Sequence, residues 1–161
     1  MVPIIVFAAL AVVLFLGAFL TRRRFGLLGL ALTAGATLSS IWSYDAGYIV
    51  SMLNVVPEGV ITQAVTQSLV VLLPAILLLF HGYAYKTIFP RIIGALLFTV
   101  LALAFLVEPI GYALPLTGTG AEVYATLKEY KDIIISVGVV LAVVDLFFTK
   151  PAHLAEKKSK H

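Results

Sequence analysis

The stretch Thr21-Arg22-Arg23-Arg24 separates two uncharged runs and decides how this 161-residue chain folds. Residues 2–20 and 25–42 contain no Asp, Glu, Lys or Arg. Each run is close to the roughly 20 residues that a helix needs to cross the hydrocarbon core of a bilayer. Because adjacent guanidinium groups are costly in hydrocarbon, the stretch is predicted to be a turn at a water interface between antiparallel spans. Short arginine-rich loops stay on the cytoplasmic side, so the N-terminus is predicted to lie outside.

The composition is typical of a membrane protein. Hydrophobic residues make up 61% of the chain, charged residues 12%, and the mean hydropathy is +1.09. Soluble chains carry about 25% charged residues. The net charge of +3 comes from basic residues that membrane topology explains, so no nucleic-acid partner is expected. The chain has no cysteine, which excludes disulfides, Cys-ligated zinc, iron–sulfur clusters and thiol catalysis.

Three later apolar segments, 64–83, 91–108 and 133–149, complete a predicted set of five spans. The predicted fold class is therefore all-α, a polytopic integral membrane bundle over residues 1–149 with a basic cytoplasmic tail at 150–161. Lys128 and Lys131 fall in the predicted outer segments, and the other basic residues fall in the inner ones: Arg22, Arg23, Arg24, Lys86, Arg91, Lys150, Lys157, Lys158 and Lys160. This asymmetry predicts an N-terminus outside and a cytoplasmic C-terminus, in the plasma membrane of a prokaryote.

Small residues recur at a spacing of four in two of the spans. This spacing lets helix backbones approach closely, which favours association inside lipid. The residues expected to pack in this way are Ala31, Gly35, Ser39, Gly138 and Ala142. The second span is predicted to be the central packing helix of the bundle, the alternative being the lining of a pore. Pro74 interrupts the third span, as a static kink or as a hinge.

Glu108 and Asp145 are the candidate ion or proton sites, because ionisable groups are rare inside membranes. Glu108 is placed near the outer interface, where it is hydrated, paired with a lysine of the outer loop, or a cation site. Asp145 either pairs with Lys150 or serves transport. The last span tolerates Asp145, since its Ile, Val, Leu and Phe residues contribute about −4 to −7 kcal/mol to insertion, against at most about +3.5 for the aspartate.

Three connecting segments carry their own predictions. Residues 48–56 are too short to cross, and form an interfacial helix or a re-entrant segment. Residues 114–118 match the LPxTG pattern of sortase substrates, but a Pro/Gly turn explains the same residues. Thr119 and Glu122 fit a capping box, which predicts a helix start near Gly120.

The sequence predicts no enzyme. No phosphate loop, Ser-x-x-Lys, HExxH or Gly-x-Ser-x-Gly pattern occurs. His81 is placed at the inner face and the other histidines in the tail, so neither a metal site nor a cofactor is expected. Besides the bilayer itself, the expected partners are anionic lipids at the basic tail, and other membrane proteins or further copies of the chain.

Three features together resemble the colicin V production protein family. They are the arginine turn followed by Phe-Gly, the small-residue second span, and the basic Pro-Arg-Ile-Ile-Gly-Ala-Leu-Leu sequence at 90–97. The resemblance covers residues 1–116 and lies in hydropathy and topology. It implies a small bacterial inner-membrane protein linked to secretion or envelope maintenance, and it implies no activity for any individual residue.

The sequence therefore leaves two functions open. The first is a non-enzymatic assembly or scaffold subunit that binds other membrane proteins through its small-residue helices. The alternative is a small oligomeric transporter or channel that uses Glu108 or Asp145 together with the Pro74 kink.

Overall fold

The uncharged runs on both sides of the arginine turn are helical, and so are three later segments. The computed structural model describes residues 2–42, 52, 59–80, 84–85, 87–113 and 118–148. Within these ranges the helices are α1 (Val2–Thr21), α2 (Phe25–Ile41), α3 (Val60–Phe80), α4 (Ile88–Ala113) and α5 (Thr119–Phe147). The all-helical prediction is confirmed for this part of the chain.

Several of these helices are long and apolar enough to cross a membrane. They are Pro3–Thr21, Val60–Phe80 and Ile88–Gly111, and the apolar helix α2 is shorter, at 17 residues. Helix α5 has 29 residues, of which the first half is charged and the second half is apolar. The helices are therefore compatible with a membrane protein by length and composition.

Two helix ends differ from the sequence predictions. Helix α4 continues through Pro109 to Ala113, beyond the end of the predicted span 91–108. In its last turn, Gly111 packs against the ring of Tyr124 on α5, where a side chain would not fit. Helix α5 begins at Thr119, one residue before the start predicted near Gly120, and its N-cap residue is Gly118, with φ 58, in place of Thr119.

Helix α4 is the central helix of the bundle, which corrects the prediction that α2 has this place. It packs against each of the other four helices, whereas α2 packs against α3, α4 and α5. The apolar stretch of α4 is 56% buried, against 11% for α1 and 17% for α3. Among the described helices, α1 and α2 do not pack along each other, although a short turn joins them.

Two turns meet at the arginine end of the bundle. Arg22 adopts a left-handed conformation with φ 58, and its carbonyl accepts a 2.7 Å hydrogen bond from the Tyr85 N–H. Arg23 forms an isolated antiparallel bridge with Ala84. The turn between α1 and α2 is therefore paired with the segment that follows α3.

Arginine side chains cap the C-termini of two helices at this end. Arg23 donates from Nε to the Leu79 carbonyl and from Nη2 to the Phe80 carbonyl, both at 2.9 Å. Arg91 donates to the Phe19 carbonyl and lies 3.8 Å from the centroid of the Phe19 ring. The last carbonyls of a helix have no partner inside the helix, so these guanidinium groups satisfy them and complement the helix dipole.

Candidate functional site: a polar cavity between four helices

A polar cavity opens at the end of the bundle opposite the arginines. Its volume is about 280 Å³, and residues of α2, α3, α4 and α5 line it. The lining residues are Ala36, Ser39, Ser40, Gln67, Val71, Ala104, Phe105, Glu108, Pro109, Lys131 and Ile135. The cavity thus gathers polar side chains from helices that are otherwise mostly apolar.

An ion pair joins α4 to α5 at the wall of this cavity. Lys131 Nζ donates to Glu108 Oε1, and the two side chains are 19% and 50% exposed. Lys131 also lies 4.0 Å from Asp132 Oδ1. The hydrogen bond to Glu108 raises the pKa of Lys131, which lies just outside the predicted span 133–149. Glu108 therefore has a lysine partner, and that lysine lies within α5.

Two other polar groups of the cavity have unused hydrogen-bonding capacity. Elsewhere in the helices, hydroxyl groups bond back to a carbonyl of the preceding turn, as in Thr33, Thr37 and Ser68. In contrast, the Ser39 hydroxyl and the Gln67 amide form no hydrogen bond with any residue that the structure describes. Both groups line the cavity and are available to an occupant.

The cavity is closed on the side that faces the arginine end. One turn below its lining residues lie Leu32, Ala75 and Leu101, which are at most 1% exposed. Gly35 adds to this closure because it lies so close to the Val71 backbone that a side chain would meet the Val71 carbonyl oxygen. Buried apolar residues therefore form the floor of the cavity on the side of the arginines.

The predicted small-residue packing positions lie inside the chain. Ala31 and Gly35 are buried on α2, and Ala142 is fully buried between α5 and α2. A Cβ at Gly138 would meet Leu101 at 2.8 Å. Ser39 lines the cavity. Apart from Ser39, these positions therefore pack against other helices of the same chain.

Asp145 lies at the opposite, arginine-rich end, where it acts as a cap for α2. Its Oδ2 accepts a 2.8 Å hydrogen bond from the Gly26 N–H, at the first turn of α2. The hydroxyl of Tyr85 accepts from the Phe25 N–H at 3.1 Å and makes long contacts of 3.4 Å with both Asp145 oxygens. Lys150, the expected partner of Asp145, is outside the described residues.

Tyr85 completes this second site. Its ring rests on Gly94, where a Cβ would meet the ring at 2.6 Å, and Arg24 lies 5.6 Å from the ring centroid. Burial raises the pKa of the Tyr85 hydroxyl, although the bond from Phe25 opposes this effect. Sequence patterns do not predict the contact between Tyr85 and Asp145, because 60 residues separate them.

Pro74 lies close to the contact between Gly35 of α2 and Val71 of α3. Helix α3 continues through it from Val60 to Phe80, and Pro74 comes three residues after Val71, which contacts Gly35. The missing N–H of a proline leaves the carbonyl four residues earlier without its helical partner. A change in α3 geometry at this position would therefore act on the floor of the cavity.

Several predictions fall outside the described residues. They concern the interfacial or re-entrant segment 48–56 apart from Met52, residues 114–117 of the LPLTG sequence, His81, and the tail 150–161. Among the residues that the structure describes, no group of three or more His, Cys, Asp or Glu could hold a metal ion.

Comparisons of the chain with protein-family models, with curated proteins and with solved structures give no match. The resemblance to the colicin V production protein family therefore stands on the sequence pattern alone.

Proposed function

We propose that this protein is a five-span membrane protein with its N-terminus outside and its C-terminus in the cytoplasm of a prokaryote. The charges of the described residues support this orientation. Arg22, Arg23, Arg24 and Arg91 lie at one end of the bundle, and the other end is acidic on balance: Lys128 and Lys131 against Glu108, Glu122, Glu129 and Asp132. Basic residues are retained on the cytoplasmic side, so the cavity opens outward.

The two shorter apolar segments also suit a bilayer. Helix α2 spans about 25 Å and residues 133–147 of α5 about 22 Å at a rise of ~1.5 Å per residue. Both are slightly shorter than the roughly 30 Å hydrocarbon core, which local thinning and flanking polar residues accommodate at modest cost. Asp145 and the arginines lie at the inner ends of these segments, where such flanking groups are expected.

Within this layout, the protein binds a small polar solute in its outer cavity, as a small transporter or channel does. The observation that carries this function is the cavity between α2, α3, α4 and α5, with the Glu108–Lys131 pair in its wall. Polar groups without partners are costly in an apolar bundle, so Ser39 and Gln67 favour a hydrated cavity. The cavity opens to one side and is closed on the other, as in a transporter with one-sided access.

The chain offers a direct test because it contains no cysteine. Ser39→Cys introduces a thiol into the cavity, and Leu73→Cys introduces one on the lipid-facing side of α3, where Leu73 is 54% exposed. A membrane-impermeant, positively charged methanethiosulfonate reagent is added to intact cells. Such reagents attack thiolates, which form in water and not in lipid.

The proposal expects rapid modification of the Ser39→Cys variant and little modification of the Leu73→Cys variant. Equal rates at the two positions would mean that the bundle surface is bathed in water and that no bilayer surrounds it. Absence of reaction at Ser39→Cys, with normal reaction after detergent extraction, would show that the cavity is not open to the outside.

An assembly role is the second candidate, and a surface groove favours it. An apolar groove of about 410 Å³ runs between α1, α3 and α4, lined by residues that include Val6, Val65, Leu69 and Ile110. Because most of the small-residue positions pack inside the chain, this groove is the surface that we propose for a partner helix. The resemblance to the colicin V production protein family would place such a partner in secretion or envelope maintenance.

The assembly candidate predicts that a Val65→Cys variant crosslinks to a second copy or a neighbouring membrane protein under mild oxidation. The matched Val140→Cys variant, on an exposed part of α5 outside this groove, is expected to stay monomeric. Crosslinking of both variants to the same extent would indicate random collision in the membrane.

A further inference from the structure

We propose that the outer cavity is a binding site for a zwitterion that carries a primary ammonium group and a phosphate or carboxylate group. This inference rests on the proposed function, because it assigns the class of ligand to the same cavity. The ligand would part the Glu108–Lys131 pair, with its ammonium group on Glu108 and its anionic group on Lys131.

The first argument is the sign and position of the charges. Glu108 comes from α4 and Lys131 from α5, so the two opposite charges lie on different helices and line the same cavity. A cavity with a lone carboxylate would favour a cation. A cavity with a lone lysine would favour an anion. A cavity with both favours a ligand that carries both charges, since a ligand with a single charge leaves one protein charge without its partner.

The second argument is the exposure of the pair. The Glu108 side chain is 50% exposed and that of Lys131 is 19% exposed, so Glu108 is reached first by an entering ligand. Because Glu108 is half exposed, the pair stabilises the bundle less than a fully buried pair would, and exchanging it for two ion pairs with a ligand leaves both protein charges paired. The pair is placed to open without breaking the bundle.

The third argument is the hydrogen-bonding capacity that the pair does not use. The Ser39 hydroxyl and the Gln67 amide line the same cavity and are without partners among the described residues. Both can donate to a phosphate or carboxylate oxygen, and Gln67 can also accept from an ammonium group. The cavity, at about 280 Å³, is at the small end for ligand sites, which fits a headgroup-sized molecule.

The same chemistry occurs in a free solute and in the ethanolamine phosphate headgroup of a membrane lipid. Both sources are tested with an Ala36→Cys variant, whose thiol lines the same cavity while Ser39 keeps its hydroxyl, by measuring how much each ligand slows modification of the thiol. The soluble probes are O-phosphoethanolamine and β-alanine, with ethanolamine and inorganic phosphate as single-charge controls, all in phosphatidylcholine nanodiscs. The lipid probe is a nanodisc of phosphatidylethanolamine without added solute.

A bound zwitterion should slow modification in proportion to 1 + [L]/Kd, about elevenfold at ten times its dissociation constant. We expect this protection from at least one soluble zwitterion if the ligand is a solute, or from the phosphatidylethanolamine disc if it is a lipid headgroup. Glu108→Gln and Lys131→Gln should each abolish protection, whereas Glu108→Asp and Lys131→Arg should keep it.

Equal protection by ethanolamine or by phosphate alone would overturn the proposal, and so would protection that survives in both glutamine variants. Lack of protection by every zwitterion and by the phosphatidylethanolamine disc would also overturn it. The single-charge controls are measured with the natural pair, so they decide the question even if a glutamine variant does not fold. If Ala36→Cys reacts normally but no probe protects it, the cavity is hydrated as proposed and the zwitterion assignment alone is wrong.

Discussion

Replacing Asp145 by alanine is expected to destabilise the bundle, because the carboxylate caps α2 from another helix. Asp145 Oδ2 accepts from the Gly26 N–H at 2.8 Å, and Gly26 is buried between α2 and α5. The first N–H groups of a helix have no partner within the helix. The alanine variant therefore leaves a buried donor unsatisfied and also removes a negative charge from the positive end of the α2 dipole.

The magnitude follows from these two effects. An unsatisfied buried donor costs about 1–3 kcal/mol, and the charge at a helix N-terminus contributes roughly 0.3–1 kcal/mol more. We expect Asp145→Ala to lower the free energy of unfolding by about 2–3 kcal/mol. Asp145→Asn keeps an oxygen acceptor and loses the charge, so its expected cost is about 1 kcal/mol. Titration of the purified protein with sodium dodecyl sulfate in mild detergent micelles, followed by circular dichroism, measures both differences.

The matched control is Asp132→Ala on the same helix. Asp132 has a side chain that is 83% exposed, and its nearest cation is 4.0 Å away, so its removal should change the free energy of unfolding by less than about 0.5 kcal/mol. The reasoning is refuted if Asp145→Ala unfolds as wild type does. It is also refuted if Asp145→Asn is as harmful as Asp145→Ala, since the acceptor would then play no part.

Two further changes test the packing and the second site. Gly35→Ala should lower the free energy of unfolding by about 1–3 kcal/mol, because the added Cβ would meet the Val71 carbonyl, which is backbone and cannot rotate away. Its control is Gly17→Ala, which has open space around it and should be neutral or slightly stabilising in the same titration. Burial raises the pKa of Tyr85 above its ordinary value of 10.0, so the folded state holds this proton more tightly than the unfolded state. The free energy of unfolding should therefore fall as the pH rises from about 10 toward that raised pKa, more steeply in wild type than in Tyr85→Phe; parallel pH profiles would contradict this.

Much of the fold follows from local patterns in the sequence. The uncharged runs beside Arg22–Arg24 are helices, and the Pro/Gly-containing segment before Thr119 precedes a helix start. The end of α4 does not follow in this way, because a proline after an acid usually ends a helix and Pro109 lies inside one. In that turn Gly111 packs against Tyr124 on the next helix, a contact that no local pattern indicates.

The arrangement of the helices was harder to predict than the helices themselves. A three-residue turn suggests that α1 and α2 pair, yet α1 packs on α4. Small residues showed which helices can approach closely, and did not rank their partners, since most apolar helices offer similar surfaces. The small residues of α2 do not contact α1. They contact α3 at Val71 and α5 at Ala142.

For the two acids as well, local sequence patterns predicted one part of the result and contacts between distant residues decided the rest. Their rarity in apolar segments marked Glu108 and Asp145 as candidates, and a lysine partner for Glu108 could be anticipated from the charges nearby. The Asp145 contact with Gly26 spans 119 residues and has no sequence signature. The cavity was not predicted either, because it depends on four helices meeting at one end.

Membrane orientation is the central claim, and paired cysteine labelling measures it most directly. Ala125→Cys places a thiol on the exposed surface of α5 at the cavity end, and Thr87→Cys places one at the arginine end, without changing any charge. With an impermeant maleimide on intact cells, we expect Ala125→Cys to react at once and Thr87→Cys to react only after permeabilisation. Reaction of Thr87→Cys in intact cells while Ala125→Cys stays protected would contradict the account, since the cavity would then face the cytoplasm.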